Sequence, residues 1–266
     1  MFKRLALIFM LLIFVQGKDL SANPISLESK SIDSKNVRST ELSPGVYDVP
    51  IILPKSLEIR REEFRQDFTN AQTRIRNFAK QNGWESLTES SFVKQIEIFD
   101  TKNDFDNRIR SLSPEEASLK IPKTFSACIE NGIFFLVAPE IYEINYADGR
   151  EPDAYIKLMV HELAHRLHVA ICKGDESKMG PIWFYEGFAI YAAKQLNEDK
   201  PKLSDAEIWS IVYKKDRGSY KSYNVVFRYF LKGKTLTNYL QKAGEPGFTE
   251  WLKETDNSLN TARSKD

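Results

Sequence analysis

Apolar positions along the chain follow several distinct rhythms, and each rhythm predicts an element. Lys3 and Arg4 precede an unbroken apolar run from Leu5 to Val15. That run is shorter than the roughly 20 residues a membrane-crossing helix requires. A basic start, a short apolar core and small residues afterwards predict a secretory signal peptide over 1–22, with cleavage after Gly17 or Ala22. An N-terminal core helix or an uncleaved anchor is the alternative. Residues 23–55 are rich in Ser, Asn, Lys and Pro with little periodicity, and read as a mobile leader or linker that touches the domain near Val46 to Leu53. Leu57, Phe64, Phe68, Ala71, Ile75 and Phe78 then recur at spacings of seven, four and three, the stripe of a core-facing helix. Asn82-Gly83 closes it as a helix C-cap does.

Strand-like patterning covers Phe92 to Phe99, followed by a short helix over Phe105 to Leu112. Phe125 to Ile129 and Ile133 to Val137 flank Asn131-Gly132, the pair that a two-residue hairpin turn prefers. A long helix is expected from Asp153 to Cys172, entered by Pro152 and stopped by Lys173-Gly174. Further helical patterns cover 182–196, 205–214, 221–231 and 247–254, and the last ten residues are polar and expected to fray. Strands first and helices afterwards predict an α+β fold, with residues 56–266 as a single domain.

Composition narrows the partners. The 266 residues carry a formal net charge of +1, and no block of like charge stands out, so a nucleic-acid partner is not expected. No other stretch is long and apolar enough to span a membrane, so the mature chain is expected to have no membrane span and to be exported, periplasmic or extracellular. Cys128 and Cys172 are the only cysteines. In an exported protein they suit a disulfide or two buried thiols equally.

The chemistry concentrates elsewhere. All three histidines, His161, His165 and His168, fall within eight residues of the long helix. Residues four apart on a helix lie about 40° apart around its axis and one turn along it, so His161 and His165 can both present a nitrogen to one ion. Glu162 falls at the edge of that face. The run His161-Glu162-Leu163-Ala164-His165 is the H-E-x-x-H arrangement, in which two His bind zinc and Glu is the general base. A metzincin continuation is excluded, because His168 stands where Gly is required and Ile171 where the third His would be. His168 lies two turns from His161, which suits a wall or supporting role better than ligation.

A third ligand is sought downstream. Trp183-Phe184-Tyr185-Glu186-Gly187-Phe188-Ala189 opens a second helix, and Glu186 lies 21 positions after His165. A Glu among aromatic and small residues is costly to bury unless it is paired or metal-bound. The plainer alternative is a solvent-facing Glu at a helix start, favoured by the helix dipole.

With both halves present, the chain resembles the gluzincins, most closely their compact peptidase MA-like branch, over residues 125 to 235. The resemblance implies a zincin-like fold with one zinc ion per chain held by His161, His165 and Glu186. It also implies that Glu162 is the catalytic base. The segment from Ser222 to Leu231 is similar to the Tyr-bearing helix that follows the glutamate in such relatives, where a Tyr near the helix start donates to the oxyanion. By that likeness Tyr223 is the catalytic donor and Tyr220 the reserve. Tyr213 and Arg228 are the other nearby donors, and simple packing is the alternative for both tyrosines.

The function expected is an exported zinc peptidase that hydrolyses protein or peptide substrates through a zinc-activated water, with Glu162 as general base. A non-catalytic exported binding protein of zincin fold is one alternative, and a zinc hydrolase of a non-peptide amide is another. Ile133 to Val137 suits either a substrate-pairing edge strand or a buried core strand, the core reading fitting its apolar composition better. The Gly-x-Met-Glu-Asn run of an amine-binding aminopeptidase is absent.

Overall fold

The computed structural model describes residues 46–112, 120–146, 150–197, 201–232 and 235–263, and the expected signal peptide lies outside them. Four strands form one mixed sheet in the order β1-β2-β4-β3. They are β1 (Ile51–Ile52), β2 (Gln95–Phe99), β3 (Ala127–Glu130) and β4 (Ile133–Val137). β1 and β2 pair in parallel, as do β2 and β4, while β3 and β4 form an antiparallel hairpin. Helix α1 (Arg61–Gln81) connects β1 to β2, and α2 (Lys102–Leu112) follows β2. Strands and helices therefore alternate through the first half, where the sequence pattern led us to expect strands first. The α+β character stands, and the sheet is mixed.

The periodicities map closely onto these elements. Leu57, Phe64, Phe68, Ala71 and Ile75 are buried, and Phe68 meets Phe134 of β4 edge-on with ring centroids 6.3 Å apart. At the hairpin, Asn131 and Gly132 have φ of 53° and 78°, the left-handed pair that a tight turn between twisted strands needs. Residues 134–137 of β4 are fully buried, as expected of a strand paired on both sides. β4 lies between β2 and β3, so the core reading of Ile133 to Val137 is the one realised. Val46, Val49 and Ile51 are also buried, and Gln72 holds the Tyr47 backbone through two hydrogen bonds of 2.9 Å. The end of the leader is thus built into the core.

Seven further α-helices follow among the described residues: α3 (Pro139–Asn145), α4 (Ala154–Ile171), α5 (Ile182–Ala193), α6 (Asp205–Tyr213), α7 (Tyr220–Phe230), α8 (Leu236–Ala243) and α9 (Phe248–Arg263). Helices α3 and α8, of seven and eight residues, are too short for their patterns to have been read, and α9 extends past the point where fraying was expected. Helix α4 packs against α1, α5 and β3, and α5 packs against α7. Because α4 is covered from several sides, apolar residues surround it: Leu158, Met159, Val160, Leu163, Ala164 and Leu167 are all buried. Among the described residues no helix is long and apolar enough to cross a membrane.

Candidate metal centre

Helix α4 carries His161, Glu162 and His165, and α5 carries Glu186. The α4–α5 packing that the core demands brings these side chains together. His161, His165 and Glu186 each offer one ligand atom, and those atoms lie within 4.8 Å of one another. The two Nε2 atoms are 3.1 Å apart, and Glu186 Oε2 lies 3.3 Å from His161 Nε2 and 3.6 Å from His165 Nε2. All three side chains are buried, Glu186 to 1% exposure. The helix-start alternative for Glu186, with its carboxylate in solvent, does not hold.

The donor set fits a divalent metal on three observations. Glu186 Oε2 is a buried acceptor with no hydrogen-bond partner among the described residues, a costly state for a carboxylate oxygen without an ion. His161 Nδ1 lies 2.9 Å from Gln195 Oε1, an acceptor, so Nδ1 carries the proton and Nε2 faces Glu186 with its lone pair. Burial lowers the pKa of His161 and pushes that of His165 well down, so both rings are held as the neutral imidazoles that metals bind.

Glu162 is 7% exposed, and burial raises its carboxyl to about 7, with His161 and Arg217 opposing the rise. A carboxyl poised near neutrality is what proton transfer at that pH requires. Glu162 and His165 line a cleft of about 1110 Å³, whose other walls include Ile129 to Gly132 at the β3 edge, Tyr185 of α5 and Tyr213 of α6.

The tyrosines of α7 separate by environment. Tyr220 lies against the centre, its ring centroid 5.8 Å from that of His161. Tyr223 is buried one turn further along, and its hydroxyl accepts a hydrogen bond from the Gly218 backbone N–H. Arg228 serves a structural network, donating to Asn224 Oδ1 at 2.7 Å and to Asn197. His168 stays out of the ligand group. It is fully buried against Phe184 and Phe188, and burial lowers its pKa to about 3. Cys128, buried in β3, and Cys172, at the end of α4, are both free thiols.

Gln195 and Arg217, both at the site, escaped sequence reasoning. Gln195, just beyond α5, orients His161, and Asn224 Nδ2 fixes the same turn by donating to the Leu196 carbonyl at 2.8 Å. Arg217, between α6 and α7, donates from Nη2 to Glu186 Oε1. Neither residue carries a local pattern that would single it out, because its role is set by the distant side chain it meets. The chain matches no protein-family profile, no curated protein and no solved structure.

Proposed function

We propose that the chain is an exported zinc peptidase of gluzincin type, with a zincin-like fold and one zinc site. The observation that carries this reading is the convergence of His161 Nε2, His165 Nε2 and an otherwise unpartnered Glu186 Oε2, with Glu162 beside them at the wall of a large cleft. His161, His165 and Glu186 would hold the ion. When bound, zinc supplies Lewis-acid activation of water and of the scissile carbonyl.

The chain's own groups do the rest. Glu162 takes a proton from the attacking water and passes it to the leaving amine, and its raised pKa suits both halves of that transfer. Tyr223, as acceptor from Gly218, keeps its own proton to give to the carbonyl oxygen, and Tyr220 is the reserve because its ring lies nearer the ligands. The β3 edge beside the cleft suits backbone pairing with an extended peptide. The apolar run near the N-terminus supports export. A carboxylate base is superfluous in a structural metal site or a pure binding protein, so Glu162 favours an enzyme. A zinc hydrolase of a non-peptide amide would use the same groups, and the large cleft with an adjacent strand edge favours the peptide.

Metal analysis and turnover test the reading together. Zinc should be stoichiometric in the purified chain and lost in His165→Ala and in Glu186→Ala; retention in both would sink the ligand assignment. Glu162→Gln should keep zinc while turnover of a peptide library falls by about 10²–10⁴-fold. Tyr223→Phe should lower kcat with KM unchanged, and the same loss in Tyr220→Phe instead would move the donor role to the reserve. Zinc-loaded protein that cleaves no peptide but hydrolyses a non-peptide amide, or nothing, would overturn the peptidase assignment.

A further inference from the structure

We propose that Arg217 is a positioning residue for Glu186, clamping one carboxylate oxygen so that the other alone is presented to the metal; this rests on the metal-site reading above. The Glu186 side chain is buried to 1% exposure, and a carboxylate so far from solvent needs both oxygens engaged. Arg217 engages Oε1, and Oε2 faces the two histidines without a hydrogen-bond partner among the described residues. The guanidinium is itself held in place, with its carbon 5.5 Å from the centroid of the Tyr220 ring.

Two physical consequences follow from this arrangement. Occupation of Oε1 disfavours two-oxygen chelation and leaves coordination space for water and substrate. The clamp also draws electron density from the carboxylate, making it a weaker donor to the ion, which then polarises its other partners more strongly. Helix packing makes the clamp reachable. Gly187 allows α5 and α7 to approach so closely that a Cβ there would lie 2.7 Å from Phe227 Cβ, and Arg217 lies three residues before α7.

The test uses the full mature chain carrying Arg217→Met or Arg217→Lys. Zinc affinity is read by chelator competition, coordination by the visible spectrum of the cobalt-substituted protein, and folding by circular dichroism. Arg217→Met should weaken zinc binding by about 10- to 100-fold and change the cobalt spectrum, as loss of an outer-shell partner does. Arg217→Lys keeps the charge without the fork; it should recover part of the affinity and tolerate folding if Met does not. Wild-type affinity and an unchanged cobalt spectrum in a folded variant would overturn the clamp. So would a fall in kcat with zinc affinity intact, which would place Arg217 on the substrate. Failure of the wild-type chain to bind zinc would overturn the metal-site reading itself, a result distinct from failure of the clamp.

Discussion

At Glu130, the last residue of β3, burial and the nearby Glu176 raise the carboxyl to about 7, with Arg166 only partly opposing. Its pKa in the folded chain therefore stands above its unfolded value, so the folded state holds the proton more tightly. The group's contribution to stability is greatest below the unfolded pKa and declines as pH rises from about 4.5 towards 7. Glu130→Gln removes that decline: its melting temperature relative to wild type should be higher at about pH 8 than at about pH 4. Equal differences at both values would contradict the raised pKa. The same scale shows how far residue types speak for themselves. His161, Glu162 and His165 announce a site by spacing, because helix geometry is local. Glu186 announces itself less, since a Glu near a helix start has a plain solvent role as well. Arg217 and Gln195 are silent in sequence, because what distinguishes them is the side chain each meets 31 and 34 residues away.

Helix α5 shows what an element contributes beyond its residues. Its buried surface runs almost all round, with Trp183, Phe184 and Phe188 packing into α7 and α9 through Phe227, Phe230 and Phe248. Gly187 lets α7 come close enough to make those contacts. Gly187→Ala should therefore cost about 1–3 kcal/mol, measured by urea denaturation, because the added methyl meets a packed ring. The same variant should weaken zinc binding, since any separation of α5 from α7 draws Arg217 away from Glu186. Unchanged stability would show that the interface yields without cost. Long stripes such as that of α1 were legible, as were the Asn131-Gly132 turn and the limits of α4, because each rests on a local period or a local φ preference. The short helices α3 and α8 were not, and the parallel pairings of β1 with β2 and of β2 with β4 were beyond reach because partners lie tens of residues apart.

Among the described residues, one hydrophobic core runs from Val49 to Leu252, and the helices that carry His161, His165 and Glu186 lie within it. Ligation that bridges α4 and α5 should therefore couple metal to global stability. Removal of zinc by a chelator should lower the melting temperature, and saturation at about 100 times Kd should restore about 2.7 kcal/mol. A melting temperature indifferent to zinc would separate the site from the fold. Determined by the sequence alone are the α1 stripe, the H-E-x-x-H spacing and the hairpin turn, because helix period and turn φ are properties of neighbouring residues. Only the tertiary structure decided that β3 is an edge of the sheet and that Glu186 is buried facing two histidines. It also decided that His168 belongs to the core, that Gln195 meets His161 and that Arg217 meets Glu186. Each of these depends on which distant surfaces the core brings into contact, and that is settled by packing among α1, α4, α5 and α7 rather than by any local pattern.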